Sequence, residues 1–126
     1  MLVTRFFDYL YIFATIGFTV YGQLILKWRI SQFGQLPENT LDKLRFVFGL
    51  FLDPAIFSGF AAAFLASLAW MAAMTKFDLS HAYPFMSLNF VLVLLLSNYL
   101  LEEPLNIQKI IGLALIIIGT LVSSRG

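Results

Sequence analysis

The segment TVYGQLILKW, residues 19 to 28, sets Thr19, Gln23 and Lys27 four apart inside a long apolar run. Upstream, Tyr11 and Thr15 continue the spacing. Each step of four turns a helix about 40° past a full turn, so the five form a slowly winding polar stripe. Its chemistry is that of binding. A threonine hydroxyl can bond its own helix backbone and needs no other partner. The Gln23 amide wants partners outside its own turn, and polar groups in lipid normally face protein or a cavity. Lys27, near the helix end, has two readings. Its ammonium snorkels to the interface, or it meets an anionic headgroup such as a phosphate.

A second polar set lies between residues 80 and 101. Tyr83, Ser87, Ser97 and Asn98 share one arc of a helical wheel, while His81 and Asn89 lie off it. His81, in the first turn, reads as interfacial rather than as a proton carrier. Asn89 reads equally as a substrate contact or as a bond between helices. The substrate-binding candidates are thus Thr19, Gln23, Lys27, Tyr83, Ser87 and Asn89. Other chemistries are excluded. There are no cysteines and one histidine, which removes disulfides, thiolate catalysis and Cys- or His-cluster metal sites. There is no nucleophile–base pair and no phosphate loop, so the reading is not an enzyme, with no metal and no cofactor. A net charge of +1 gives no electrostatic case for nucleic acid.

What must position these residues follows from composition. The 126 residues are 60% hydrophobic and 12% charged, about half the charge usual for a soluble domain. Roughly 20 apolar residues cross the hydrocarbon as a helix, and four windows do so, at about 9–31, 54–76, 80–101 and 105–122. Backbone groups in lipid must be satisfied internally, so these are helices. The first run is too long and aromatic for a signal peptide and reads as a retained span. Asp53 before Pro54 is a cap followed by proline at the first helical position. TKFDLS is a short turn, and LLEEPLN places two acids and Pro104 between the last two spans. The first loop is longer, and its part at about 41–52 is weakly amphipathic: Leu41, Leu44, Phe48 and Phe51 against Asp42, Lys43 and Arg45. An interfacial helix fits. The fold class is therefore an all-α membrane protein, one four-helix domain over 1–126 with an amphipathic segment in its first loop. Lys27, Arg29, Lys43, Arg45 and Lys109 against Arg5, Lys76 and Arg125 favour a cytoplasmic side for the first and third loops.

Four short-looped helices enclose little, which points to a dimer. Gly112 and Gly119, seven apart with Ala114 nearby, present one small-residue face. This face is either a dimer seam or internal packing against the third span. Glu102 and Glu103 read as helix-terminal charges rather than as ion-coupling groups.

GQLILK in the first span, AYPFMSLNFV in the third and EEPLNIQKIIGLALIIIGTLV in the last together resemble the drug/metabolite transporter superfamily in its half-size, four-helix form. Over nearly the whole chain apart from the first loop, they are most similar to the small paired subunits of the 4-amino-4-deoxy-L-arabinose-phosphoundecaprenol flippase. The small multidrug resistance transporters share the plan more distantly. Those exporters carry a glutamate three residues before the glycine matching Gly22, where this chain has Thr19. The resemblance implies an inner (cytoplasmic) membrane transporter for a lipid-linked sugar, working by alternating access as a homodimer or as a heterodimer with a similar small subunit. Direction would follow the substrate gradient, since no coupling group is visible. The alternatives are a small-solute or multidrug exporter that lacks the acid, and a non-transporting subunit that scaffolds a glycan-assembly enzyme.

Overall fold

The computed structural model describes residues 2–126, with side chains from Phe6 onward, so Arg5 lies outside the described side chains. Six helices follow one another: α1 Leu2–Ile30, α2 Thr40–Leu50, α3 Pro54–Met74, α4 Leu79–Met86, α5 Leu88–Leu100 and α6 Ile107–Ser124. Among the described residues there is no strand, and four stretches are long and apolar enough to cross a membrane: Phe6–Ile30, Pro54–Met74, Leu79–Leu100 and Ile107–Ser124. The chain is an all-α, multi-pass membrane protein. At 1.5 Å per residue the 21 residues of α3 reach about 31 Å, the thickness of the hydrocarbon.

The core is thin and built for close approach. Ile12, Ile16 and Val20, four apart on α1, are buried with Ala73 and Ala82, and Tyr9, Trp70, Phe85 and Met86 pack around them. The tightest contact is between α1 and α3. A Cβ built on Gly22 would stand 3.0 Å from the Gly59 carbonyl oxygen. One built on Gly59 would stand 2.9 Å from Ile25 Cγ2 and 3.3 Å from Leu26 Cγ. Lipid tails are as apolar as side chains, so helices in a bilayer gain from this kind of backbone approach rather than from burial alone. The last helix, α6, packs against α4 and α5.

The third span is divided. Ser87 separates α4 from α5. Its N–H bonds the Pro84 carbonyl and its own carbonyl takes the Phe90 N–H, both at 3.0 Å and both three residues apart. The ladder thus tightens to 3₁₀ spacing just after a proline that supplies no N–H. The Thr120 hydroxyl of α6 donates to the same Pro84 carbonyl at 3.3 Å, a second donor that ties α6 to this turn. At the other end of α4, Tyr9 Oη and His81 Nε2 share a hydrogen bond at 2.9 Å, with Phe77 stacked on the imidazole at 5.6 Å.

The first loop holds α2, which buries none of its residues. Asn39 caps it by accepting the Leu41 N–H at 3.0 Å, and Phe51, just past its end, stacks on Phe60 of α3 at 4.7 Å. Glu102 ends α5 with φ +57°, and Asn106 caps α6 by accepting the Lys109 N–H at 2.9 Å. The acids between the last spans therefore close α5, while the cap of α6 is an asparagine.

Asp53 fixes the α1–α3 corner. Its Oδ2 accepts the Ala55 and Ile56 N–H groups at 3.1 and 3.2 Å, and its Oδ1 accepts Arg29 Nε at 2.9 Å. Burial acts to raise the Asp53 carboxyl. The Arg29 hydrogen bond, the Ile56 amide, the Arg29 charge and the Ala55 amide outweigh it and hold the group below its ordinary value. A carboxyl depressed on folding contributes stability above its unfolded pKa, and that contribution is lost as pH falls through the folded value. Unfolding in detergent is therefore expected to move to lower temperature only below the ordinary carboxylate range. Arg29→Gln is expected to start lower at neutral pH and to show a shallower acid-side fall. Superimposable pH profiles of the two proteins would show that the pair contributes nothing.

Candidate functional site

Beside the Gly22–Gly59 contact, α1, α3, α4 and α5 line a partly open cavity of about 800 Å³ formed by residues within the membrane-spanning helices, within the 300–1,000 Å³ usual for small-molecule sites. The α1 wall carries Thr15, Thr19, Gln23 and Leu26. The α3 wall carries Gly59, Phe60, Ala63, Ala66, Ser67, Trp70 and Met71. Tyr83 and Met86 of α4, Ser87 at the joint and Asn89 of α5 complete it.

Five of the six substrate-binding candidates, Thr19, Gln23, Tyr83, Ser87 and Asn89, thus share one cavity. Lys27 does not line it; it is exposed in the last turn of α1. The winding of the stripe explains this. From Tyr11 to Lys27 the 40° drift accumulates to about 160°, so one cavity can take only the middle members. Asn89 is brought in despite lying off the arc of a single wheel. The wheel assumes 100° per residue, and the 3₁₀ joint at Ser87 breaks that count.

The polar atoms differ in how far they are satisfied. Thr15 Oγ1 donates to the Tyr11 carbonyl at 2.8 Å, and Ser67 Oγ to the Ala63 carbonyl at 3.1 Å. These hydroxyls serve their own helices. Asn89 Oδ1 is buried with no hydrogen-bond partner. An orphaned buried acceptor costs its full desolvation penalty, about 1–3 kcal/mol. Asn89 lines the cavity, and because this oxygen itself is covered, a turn of the amide would be needed to present it to a ligand O–H or N–H. Trp70 and Tyr83 meet edge to face, centroids 6.2 Å apart at 74°, which gives the polar wall an aromatic border. Among the described residues no ionisable acid or base other than the Tyr83 phenol lines the cavity, and no group of three or more His, Cys, Asp or Glu is placed to hold a metal. The arrangement can hydrogen-bond and stack; it has no neighbouring acid–base pair for group transfer.

The α3 wall was not anticipated from the sequence. Its residues are one glycine, two alanines, a serine, a phenylalanine, a tryptophan and a methionine, which carry no polar periodicity. The available signal was the recurrence of small residues at 59, 63, 66 and 67 below Trp70, one helical face three and four apart. Gly112 and Gly119 sit elsewhere, on α6, and a Cβ added to either meets nothing within 4 Å.

The model of the EamA-like transporter family matches residues 3–125. Curated relatives agree. A probable 4-amino-4-deoxy-L-arabinose-phosphoundecaprenol flippase subunit ArnE from Pseudomonas fluorescens is 32% identical over 109 residues, 86% of this chain and 90% of that one. Its counterpart from Pseudomonas savastanoi pv. phaseolicola is 32% identical over 107 residues, 85% and 88% of the two chains. A probable ArnF subunit of the same flippase from Erwinia tasmaniensis is 35% identical over 106 residues, 80% and 81%. No solved structure matches.

Proposed function

We infer, from the premise that this chain belongs to the EamA-like transporter family, that it moves a polyprenyl-phosphate-linked sugar across the bacterial cytoplasmic membrane. The observation that carries this reading is the cavity itself. Its wall offers amide and hydroxyl groups beside an aromatic pair, all on helices long and apolar enough to span a membrane. Such a wall suits a sugar head whose polyprenyl tail stays in the bilayer. The names of the relatives, flippase subunits of matching length, support the same substrate class. Thr19, Gln23, Tyr83, Ser87 and Asn89 would hydrogen-bond the head. Lys27, one turn beyond Gln23 and exposed, would meet the phosphate at the membrane face.

The test is a flipping assay in proteoliposomes with a fluorescent short-chain polyprenyl-phosphate sugar. Wild type is expected to accelerate transfer between leaflets. Gln23→Ala should slow it by about three- to tenfold, from the roughly 0.5–1.5 kcal/mol a typical hydrogen bond contributes. Lys27→Ala should slow it too, and less at high salt, where the wild-type advantage is screened. Wild-type rates in both folded variants would remove these residues from the path, and no acceleration by wild type would remove the function.

The working unit would be a dimer, with a second copy or with a similar small subunit as the relatives' names suggest. Open space at Gly112 and Gly119 within the protomer supports a seam on this face of α6. Gly112→Leu with Gly119→Leu is expected to keep the melting temperature of the protomer while shifting the particle to half its mass in native mass spectrometry. An unchanged mass would place the seam elsewhere.

A further inference from the structure

The eleven residues of α2 bury nothing, and Leu41, Leu44, Val47 and Phe48 are 43% to 66% exposed. We propose that this face docks on anionic phospholipid at the membrane surface, so that α2 is a charge-selective lipid anchor. At about 100° per residue the four side chains, with Phe51 just past the helix end, fill an arc of about 120°. Lys43 and Arg45 each lie about 40° beyond an edge of that arc, and Asp42 lies nearly opposite its middle. Phe46 and Leu50, both half-buried, take the remaining side. Cations that flank an apolar stripe can bury their stems beside it and hold their charges at the level of lipid phosphates. Among the described residues neither Lys43 nor Arg45 is paired with an acid. A second copy on the same face would bring these cations against their own equivalents, a repulsion that an anionic lipid surface turns into attraction.

The fold holds this helix where such a surface lies. Three residues connect α2 to Pro54, the first residue of a span. The N–H groups of Phe51, Leu52 and Asp53 each bond a carbonyl three residues back, at 3.2, 3.1 and 3.1 Å, so the connection is wound rather than slack. Asp53 then caps α3 and holds Arg29 in the last turn of α1, which keeps α2 at the end where two spans leave the membrane. Phe51 gives the direction of the apolar face. It stacks on Phe60 at 4.7 Å, and Phe60 stands six residues past Pro54, about 9 Å along the span. The stripe therefore faces toward the hydrocarbon. Eleven residues reach only about 17 Å, too short to cross it, so α2 lies along the membrane face.

The test needs no transported substrate, so its failure leaves the flippase reading standing. The chain has no cysteine. Leu44→Cys and Gly49→Cys therefore each carry a single nitroxide, the first in mid-stripe, the second on the opposite face, where an added Cβ meets nothing within 4 Å. Each labelled full chain is placed in nanodiscs of mixed phosphatidylglycerol and phosphatidylcholine, and of phosphatidylcholine alone. Collisions with oxygen report hydrocarbon, and collisions with a soluble nickel chelate report water. In the anionic discs the label at 44 is expected to meet oxygen and the label at 49 the chelate. In phosphatidylcholine alone the label at 44 should gain several-fold in chelate contact, since each cation is worth about fivefold in docking on an anionic surface. Lys43→Gln with Arg45→Gln should give the same gain in anionic discs. High salt should do so without any charge substitution, which keeps the test open if the double variant folds poorly. A label at 44 shielded from both reagents overturns the proposal in favour of a protein partner. Chelate contact at 44 in the anionic discs overturns it, by placing the stripe in water. Oxygen contact at 44 that is unmoved by lipid charge, by salt and by the double variant overturns the selection for anionic lipid.

Discussion

Gly59→Leu is expected to leave little folded protein. The position is the fulcrum of the α1–α3 contact, where even one added carbon would lie 2.9 Å from Ile25 Cγ2 and 3.4 Å from the Gly22 carbonyl oxygen. Ile25 Cγ2 sits on a β-branched carbon with little rotational freedom in a helix, so it cannot swing clear. Alanine at 59 would gain about 0.8–1.0 kcal/mol of helix propensity and lose about 1–3 kcal/mol to overpacking. The clash wins, and leucine adds three further carbons in the same space. Separating the helices would also remove the floor of the cavity. The expected results are a graded fall in melting temperature in detergent from wild type through Gly59→Ala to Gly59→Leu, and loss of monodisperse protein for the last. Gly17→Ala is the control. It lies on the same α1 but faces open space, so the propensity gain should appear alone as a small rise. Equal behaviour of Gly17→Ala and Gly59→Ala would show that the close contact is not what holds these helices together.

Asn89→Leu should separate stability from function. The two side chains share heavy-atom count and branching, the leucine being somewhat bulkier beside an open cavity, and the substitution removes a buried acceptor that has no partner in the protein. Deleting an unsatisfied polar group in favour of an apolar one of similar shape is near neutral or stabilising. The melting temperature is therefore expected to hold or to rise. Binding of a glycosyl head should weaken by about tenfold or more, corresponding to about 1.4 kcal/mol. That loss combines one hydrogen bond with the penalty of leaving a ligand hydroxyl against a leucine. Parallel melting curves and flipping rates on one preparation check both halves. A drop in stability would mean that Asn89 bonds another helix, the second reading its position on the sequence allowed.

The parts of the molecule legible in the sequence are those written in polarity. Four spans follow from apolar length, and the Asp53–Pro54 start of α3 follows from cap chemistry. Thr19 and Gln23 stand out because amides and hydroxyls are conspicuous among leucines. What was not legible is written in volume and in backbone. Gly59, Ala63 and Ala66 shape the cavity by what they leave empty, and an alanine in a lipid-facing helix looks the same as one beside a substrate. The division at Ser87 was hidden for another reason. A proline six residues into a span is compatible with an unbroken helix, and at the joint the Pro84 carbonyl takes a second donor from Thr120, 36 residues away, which no local pattern announces. Lys27 falls off the wall for a different reason: a regular spacing of four continues past the end of the cavity because a helix does not repeat every four residues.

The packing of α6 on α4 and α5, and the much closer embrace of α1 by α3, bear on how the chain is made. Helices enter the membrane in the order of synthesis. The first intimate pair is complete once residue 74 has emerged, which shelters one side of Thr15, Thr19 and Gln23 while the remainder is still on the ribosome. The next span to arrive adds Tyr83, Met86, Ser87 and Asn89 to the cavity wall. The helix made last docks on its immediate predecessor and is needed by neither of the first two. Each span after the first thus finds a partner already in place, and the polar stripe of α1 waits for α3 to cover one side and for the third span to complete the wall.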